Sequence, residues 1–522
     1  MTLLKKSLVW AVPVIISIAA LLLLFAENYS DVTEPPTDGW SRGIELGLTP
    51  TVTAPHLKST KDGQLDVSYL TEKGVKKDTF NQDFELVSEE STSIPVDKFT
   101  EFSWVGQNLI YSDYQSIFLA QSGEKLSNIS GFFPLKAHTL FSKEQELFML
   151  DNDTLAPVSI MELDSENTEI TVSETKQTAY IMTKDVDTTG NHLRFYELNG
   201  REVIELGKAD LRVRGTEEIS DIQFSVKEES YSLLVSTLQK QSAGGELTNF
   251  YYFSHSSFGE DPQLQKVNFP DPHSRLELKE ISDLEMTLEE NSVTLLFKGF
   301  GATKTTYSNS PEFNIYKATI SLQGNTEVQR LSNTPSPSAE PVWFEEAQSA
   351  IWIDQGSDNN NKLMLSSDKP SIIKKADRIN KEAFIQSLGK TVGMFSTGMF
   401  SIVIAGLWFI WPLFFIVVIT FSNSRAMDHN RSWIFYTGTV IYLAAALLFK
   451  DSMFTSRLMA KAPEYLSFQG SSIIYLLGFA LLTYLLLSYG VKERDWSVFI
   501  RLTYFIGIHI ILITVFFGPY LL

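Results

Sequence analysis

Residues Val328–Asp368 read VQRLSNTPSPSAEPVWFEEAQSAIWIDQGSDNNNKLMLSSD. A Pro/Ser-rich turn leads into one short apolar run, a second apolar run follows, and a polar Gly-Ser-Asp-Asn tip sends the chain back, which is the turn chemistry of short antiparallel strands. The same form recurs upstream. SDIQFSVKEESYSLLVST (Ser220–Thr237) and SDLEMTLEENSVTLLFKG (Ser282–Gly299) share a Ser-Asp start, an alternating strand, an acidic turn and a second apolar strand. ITVSETKQTAYIMTKD from Ile170, HTLFSKEQELFMLDND from His138 and EPVWFEEAQSAIWIDQG from Glu340 repeat it, and EFSWVGQNLIYSDYQ from Glu101 does so with a shorter turn.

The second half of each unit repeats as well. VSYLTEKGVKKDTF (Val67–Phe80), IFLAQSGEKLSN (Ile117–Asn128), RFYELNGREVIEL (Arg194–Leu206) and ATISLQGNTEVQRLSN (Ala318–Asn333) are strand pairs around a glycine. Gly74, Gly123, Gly200 and Gly324 stand where a tight tip needs positive φ. Four short antiparallel strands recurring every 35 to 60 residues or so are the signature of a β-propeller. Copies begin near Pro50, Lys98, Pro134, Glu169, Ile219, Ile281 and Ala339, which gives seven blades; six blades with an N-terminal extension is the alternative count.

Once aligned, Val328–Leu365 resembles the TolB-like propeller repeat, a relative of the tryptophan–aspartate repeats. Arg330, Leu331, Ser332, Pro341, Trp343, Ile351 and Asp354 occupy the places of its motif, and Lys125-Leu126-Ser127 echoes the closing triplet. FEEAQS stands where that family has Ser-Pro-Asp-Gly. The resemblance covers one blade; it implies a fold and a tendency to bind partners, and no catalysis.

Hydropathy divides the rest of the 522-residue chain. Leu8–Ala26 follows Lys5 and Lys6 and is long enough to span a bilayer, so we read it as an uncleaved signal anchor, cleavage after Ala26 being the alternative. Four further apolar runs, Met399–Phe421, Trp433–Phe449, Ser471–Tyr489 and Val498–Leu521, close the chain, with Pro412 expected to kink the first. The expected organisation is a transmembrane segment at 1–26, a linker at 27–45, an all-β propeller at 46–375, a basic juxtamembrane connector at 376–395 and a four-helix transmembrane domain at 396–522. Lys5 and Lys6 favour a cytoplasmic N-terminus and an extracytoplasmic propeller in the cell membrane, although the loop charges at Lys374–Lys390, Lys450, Arg457 and Lys461 lean the other way. On that placement the basic connector is a stem helix or a stretch resting on anionic lipid, and Asp451–Phe468 is an interfacial helix or a loop.

Chemistry is sparse in the sequence. The net charge of −19 argues against a nucleic-acid binder, and the absence of cysteine removes thiolate metal sites and a cysteine nucleophile. There is no Gly-x-Ser-x-Gly elbow, Walker loop or paired-histidine motif. His56, His138, His192, His255, His273, His429 and His509 are scattered singly, and Asp185–His192 begins like a calcium loop but has Tyr196 where the closing glutamate belongs. In the helices only His509 is ionisable near mid-membrane, with a hydrogen bond to a neighbouring helix as its expected role. No catalytic, cofactor-binding or metal residue is assigned, and no cofactor is expected. The sequence therefore reads as a non-catalytic binding or scaffold protein of the cell envelope, with membrane lipid and a protein, peptide or polymer as partners. The alternative is an accessory or permease-like subunit of a transport or export complex. Acidic and histidine side chains converging on the propeller channel would point instead to an enzyme.

Overall fold

The computed structural model describes every residue except 1, 61–62, 176–177, 189, 240–247, 275, 290, 303–310, 334–335, 345–347, 357–359, 379–380, 492–495 and 522. It divides into two compact units, one built from Met1–Glu34 with Ile379–Leu522 and the other lying within residues 35–378.

The second unit is a seven-bladed β-propeller. Seven four-stranded antiparallel sheets follow one another along the chain. Their first strands are His56–Ser59, Glu101–Val105, Gly131–Pro134, Glu169–Glu174, Glu217–Lys227, Lys279–Leu288 and Ser338–Phe344, which open blades 1 to 7 in that order. First strands of several neighbouring sheets pack on one another, so these strands line the centre of the ring. Seven apolar clusters stand one between each adjacent pair of blades. Phe195, Phe224 and Tyr231 join blades 4 and 5, for example, and Leu57, Val67, Ile351 and Leu363 join blades 1 and 7. Period-2 alternation gives each blade two apolar faces, and only stacking in a closed ring buries both.

Closure is the feature the repeat pattern missed. Blade 7 takes three strands from the end of the propeller, and its fourth is Ile44–Thr49, paired antiparallel to Asn361–Ser367 with Ile44 opposite Leu365 and Thr49 opposite Asn361. The glycine tips behave as the sequence requires, with φ of 70° at Gly123 and 62° at Gly200.

Alignment of the repeats sets Trp343 beside Phe224 and Met286 and predicts all three buried between blades, and in blade 7 that expectation fails. Phe224 and Met286 are buried between blades, but Trp343, aligned with them, is only partly buried. The fully buried indole is Trp352 on the second strand, whose Nε1–H donates to Asp354 at 2.7 Å. The residues that carry the TolB-like resemblance are structural cement. Arg330, Leu331 and Ser332 are fully buried; the Arg330 guanidinium donates to the Ala302 carbonyl and the Ser332 hydroxyl accepts from the Ile315 N–H. Part of FEEAQS, residues 345–347, lies outside the described residues.

The first unit is helical. Among the described residues four helical stretches are long and apolar enough to cross a membrane: Val9–Val32, Ala383–Ser422, Ser471–Tyr489 and Val498–Tyr520. The expected run at Trp433–Phe449 forms a helix of 17 residues, Ser432–Leu448. Helix α1 (Thr2–Val32) runs unbroken past Ala26. It packs along the helix Lys381–Gly398, where the buried Asn28 donates to Thr391 at 3.0 Å and Lys390 pairs with Asp31 at 3.3 Å. The second half of the basic connector is therefore packed helix. The break near Pro412 precedes it: a 3-10 turn at Leu407–Phe409 leads into the helix Ile410–Ser422, and proline sits in that helix's first turn, where no N–H is needed. Asp451–Phe468 forms two short helices that bury Met453, Phe454, Leu458 and Leu466 in the bundle core.

Candidate active site

The inner strands of blades 5, 6 and 7 each lose their register in the upper half of the strand, between Ile219 and Asp221, between Lys279 and Glu285, and between Ala339 and Val342. In blades 6 and 7 the bulges place Glu280, Asp283 and Glu340 at φ of 49°, 52° and 48°. This left-handed region is costly for residues with a Cβ, and bulges of this kind re-aim side chains. Here the bulge residues carry carboxylates, on the strands that line the channel.

Two cross-blade bonds fix the geometry. The Glu340 N–H donates to Asp283 Oδ2 at 3.3 Å, and the Trp343 N–H donates to Glu285 Oε2 at 2.8 Å. Asp283 is in turn paired with the Lys298 ammonium at 2.9 Å, both side chains about one-fifth exposed. Burial first, then the like charge of Asp283, pushes the Glu340 carboxyl up to about 7, with Lys298 opposing and Glu101 adding to the rise. Partial desolvation also raises the carboxyl of Glu101, an exposed residue at the start of the blade 2 inner strand. Burial raises Glu285 as well, against the Trp343 hydrogen bond and the charge of Lys136. Glu101 and Glu340 stand two blades apart, and Glu285 and Lys136 three blades apart. These charges bear on one another across blades, and the direct links run between the inner strands of blades 6 and 7.

His56, the first residue of the blade 1 inner strand, lies against the Phe102 ring with centroids 4.7 Å apart. Burial holds its imidazole down to about 4, so it is neutral at physiological pH. His56 thus packs on the apolar layer between blades 1 and 2, while the inner strands of blades 6 and 7 present an ion-paired carboxylate and a carboxyl poised to carry a proton near neutrality.

The residues singled out in the sequence fare differently. His192 sits between the carboxylates of Asp187 at 3.0 Å and Asp210 at 2.8 Å, so the loop that begins like a calcium site is held by an imidazole. Among the described residues no three His, Asp or Glu side chains are grouped to hold a metal. His509 is buried in the helical unit, its Nδ1 2.7 Å from the Tyr442 hydroxyl and its Nε2 2.9 Å from the Leu476 carbonyl, bridging three helices. The channel carboxylates went unassigned in the sequence although a signal was present. Glu101, Asp283 and Glu340 recur at the head of the aligned repeats, in EFSW, SDLE and EPVW.

No family model matches the chain, and no curated protein matches it. Solved structures do resemble it. The GH93 alpha-L-arabinofuranosidase of Fusarium graminearum, in complex with arabinobiose, is 10% identical over 63% of this chain and 97% of its own, with a TM-score of 0.33. A eukaryotic initiation factor is 10% identical over 62% and 75%, with a TM-score of 0.30. The alpha-L-arabinofuranosidase from Lactobacillus brevis is 8% identical over 60% and 89%, with a TM-score of 0.26. The likeness is one of propeller fold. The expectation of a non-catalytic binding or scaffold protein, and of an accessory subunit in its place, is corrected on the fold itself: a propeller ring hosts enzymes and binding proteins alike and gives no ground for setting catalysis aside.

Proposed function

We propose that the propeller is the catalytic part of a membrane-attached hydrolase, with the channel carboxylates as its acid–base machinery and a glycosidic bond as its target. The observation that carries the reading is the pairing of Glu340 with Asp283 on adjacent inner strands, both at left-handed bulge residues and joined by the Glu340 N–H bond to Asp283 Oδ2. Acetal cleavage needs one protonated and one ionised carboxyl in a single site, and environments that split two acids in this way assign the roles. Glu340 donates its proton to the leaving oxygen as the C–O bond breaks. Asp283, kept beside Lys298, serves as the carboxylate that faces the developing positive charge and takes the proton of the incoming water. The water hydroxyl ends on the anomeric carbon, and the proton returns to Glu340 for the next cycle.

The setting is proposed on the same footing. The helices suit a multi-pass protein of the cell membrane, and Lys5 and Lys6 support an extracytoplasmic propeller of the TolB-like kind. The test is direct. The detergent-purified full chain, incubated with a panel of soluble and envelope polysaccharides, is expected to release reducing ends, and Glu340→Gln and Asp283→Asn should each lower the rate at least about 100-fold, as loss of a general acid or base does. Release of no reducing ends from any polymer, or undiminished turnover by Glu340→Gln, overturns the reading.

A further inference from the structure

We infer that Lys298 is a positioning residue that decides which of the two channel carboxyls holds the proton, an inference that rests on the acid–base role just proposed. Lys298 belongs to the second strand of blade 6, Ser292–Ala302, and lies opposite Ser282 at the bulge. Its ammonium meets Asp283 Oδ2 at 2.9 Å, and Oδ2 also accepts the Glu340 N–H. The side chain has little freedom to leave, because its ammonium also stands 5.4 Å from the centre of the Phe313 ring. Asp283 is therefore clamped from one side by a fixed cation and from the other by the backbone of the residue whose carboxyl it opposes. The fixed cation keeps Asp283 as the ionised partner and partly cancels the charge that Glu340 faces, so it tempers how tightly Glu340 holds its proton.

The groups that bear on Glu340 are Asp283 and Lys298 from blade 6 and Glu101 from blade 2. Each predicts a direction. Lys298 opposes the rise of Glu340, so its loss raises that carboxyl further. Asp283 promotes the rise, so its neutralisation lowers it.

The pH dependence of propeller unfolding reads this without a substrate. A carboxyl raised on folding stabilises the native state while protonated; the stability is whole below the unfolded value and is lost as pH climbs to the folded value. In the full chain in detergent, the apparent melting temperature should fall from about pH 4.5 and level off near pH 7, and Glu340→Gln should remove that fall. Lys298→Met is expected to move the levelling point up by about one pH unit or more, Lys298→Arg to restore it, and Asp283→Asn to bring it below 7. A uniform loss of stability with the levelling point unmoved, or no such fall in the unsubstituted protein, overturns the inference. Where Lys298→Met does not fold, Asp283→Asn decides: an unmoved levelling point refutes. The two readings separate cleanly. A moved levelling point with undiminished turnover by Glu340→Gln leaves the proton clamp standing and ends the hydrolase proposal, whereas an unmoved one with turnover abolished does the reverse.

Discussion

Replacing Trp352 by alanine tests the packing between blades 6 and 7. The indole is fully buried between blades 6 and 7, in a cluster with Trp40, Leu296, Ile315, Leu331, Ala350 and Met364. Large aromatic truncations in such places cost about 3–5 kcal/mol. The substitution also removes the 2.7 Å hydrogen bond to the Asp354 carboxylate, which is 4% exposed and accepts from the Ser338 hydroxyl as well. A lost bond to a buried charged group adds about 1.5–3 kcal/mol. The terms share atoms and are not additive, so a total of about 5 kcal/mol is expected. Trp343 is only partly buried and lies beneath the Lys317 ammonium at 4.7 Å, so its loss should cost about 1–2 kcal/mol. Urea unfolding of the detergent-solubilised chain, followed by far-UV circular dichroism, measures both. With a slope of about 3 kcal/mol per M, Trp352→Ala should drop the midpoint by about 1.7 M and Trp343→Ala by about 0.5 M. Trp352→Phe, which keeps most of the volume and loses the N–H, should fall between. If Trp343→Ala proves as costly as Trp352→Ala, the assignment of the interblade core is wrong.

Glu340→Gln should stabilise the propeller above pH 7 by about 3 kcal/mol, the value of a carboxyl moved from 4.5 to about 7, and should leave it no more stable than the parent below pH 4.5; equal effects at both ends would refute burial as the cause. His192, raised by its bonds to Asp210 and Asp187, should titrate above the ordinary imidazole value in an NMR pH series and fall back in Asp210→Asn. The stability that pair lends is present at acid pH and disappears as pH rises through the folded pKa. Because α1 is unbroken past Ala26 and Asn28 is bonded to Thr391, an N-terminal epitope should remain on the membrane-extracted protein; a product shortened after Ala26 would contradict this. Asn28→Leu should lower the thermal stability of the helical unit by about 1 kcal/mol.

What the sequence by itself determined are features set by near neighbours in the chain. Alternating apolar residues, acidic turns and glycines such as Gly123 and Gly200 specify strand pairs, because the pleat has period two and a tight tip needs positive φ. Repetition of those pairs specified the propeller, and long apolar runs specified helices long and apolar enough to cross a membrane. Sheet closure was not legible, since Ile44–Thr49 meets Asn361–Ser367 across more than three hundred residues and its pattern is that of any edge strand. Alignment placed Trp343 with Phe224 and Met286, but which indole is buried depends on how blades 6 and 7 pack. Acids at the head of the repeats were visible as letters. Only the ring sets Glu340 beside Asp283 on adjacent inner strands, and only burial there turns an ordinary carboxyl into one that holds its proton near neutrality. Chemistry of that kind is a property of distance and dielectric, which belong to the folded chain.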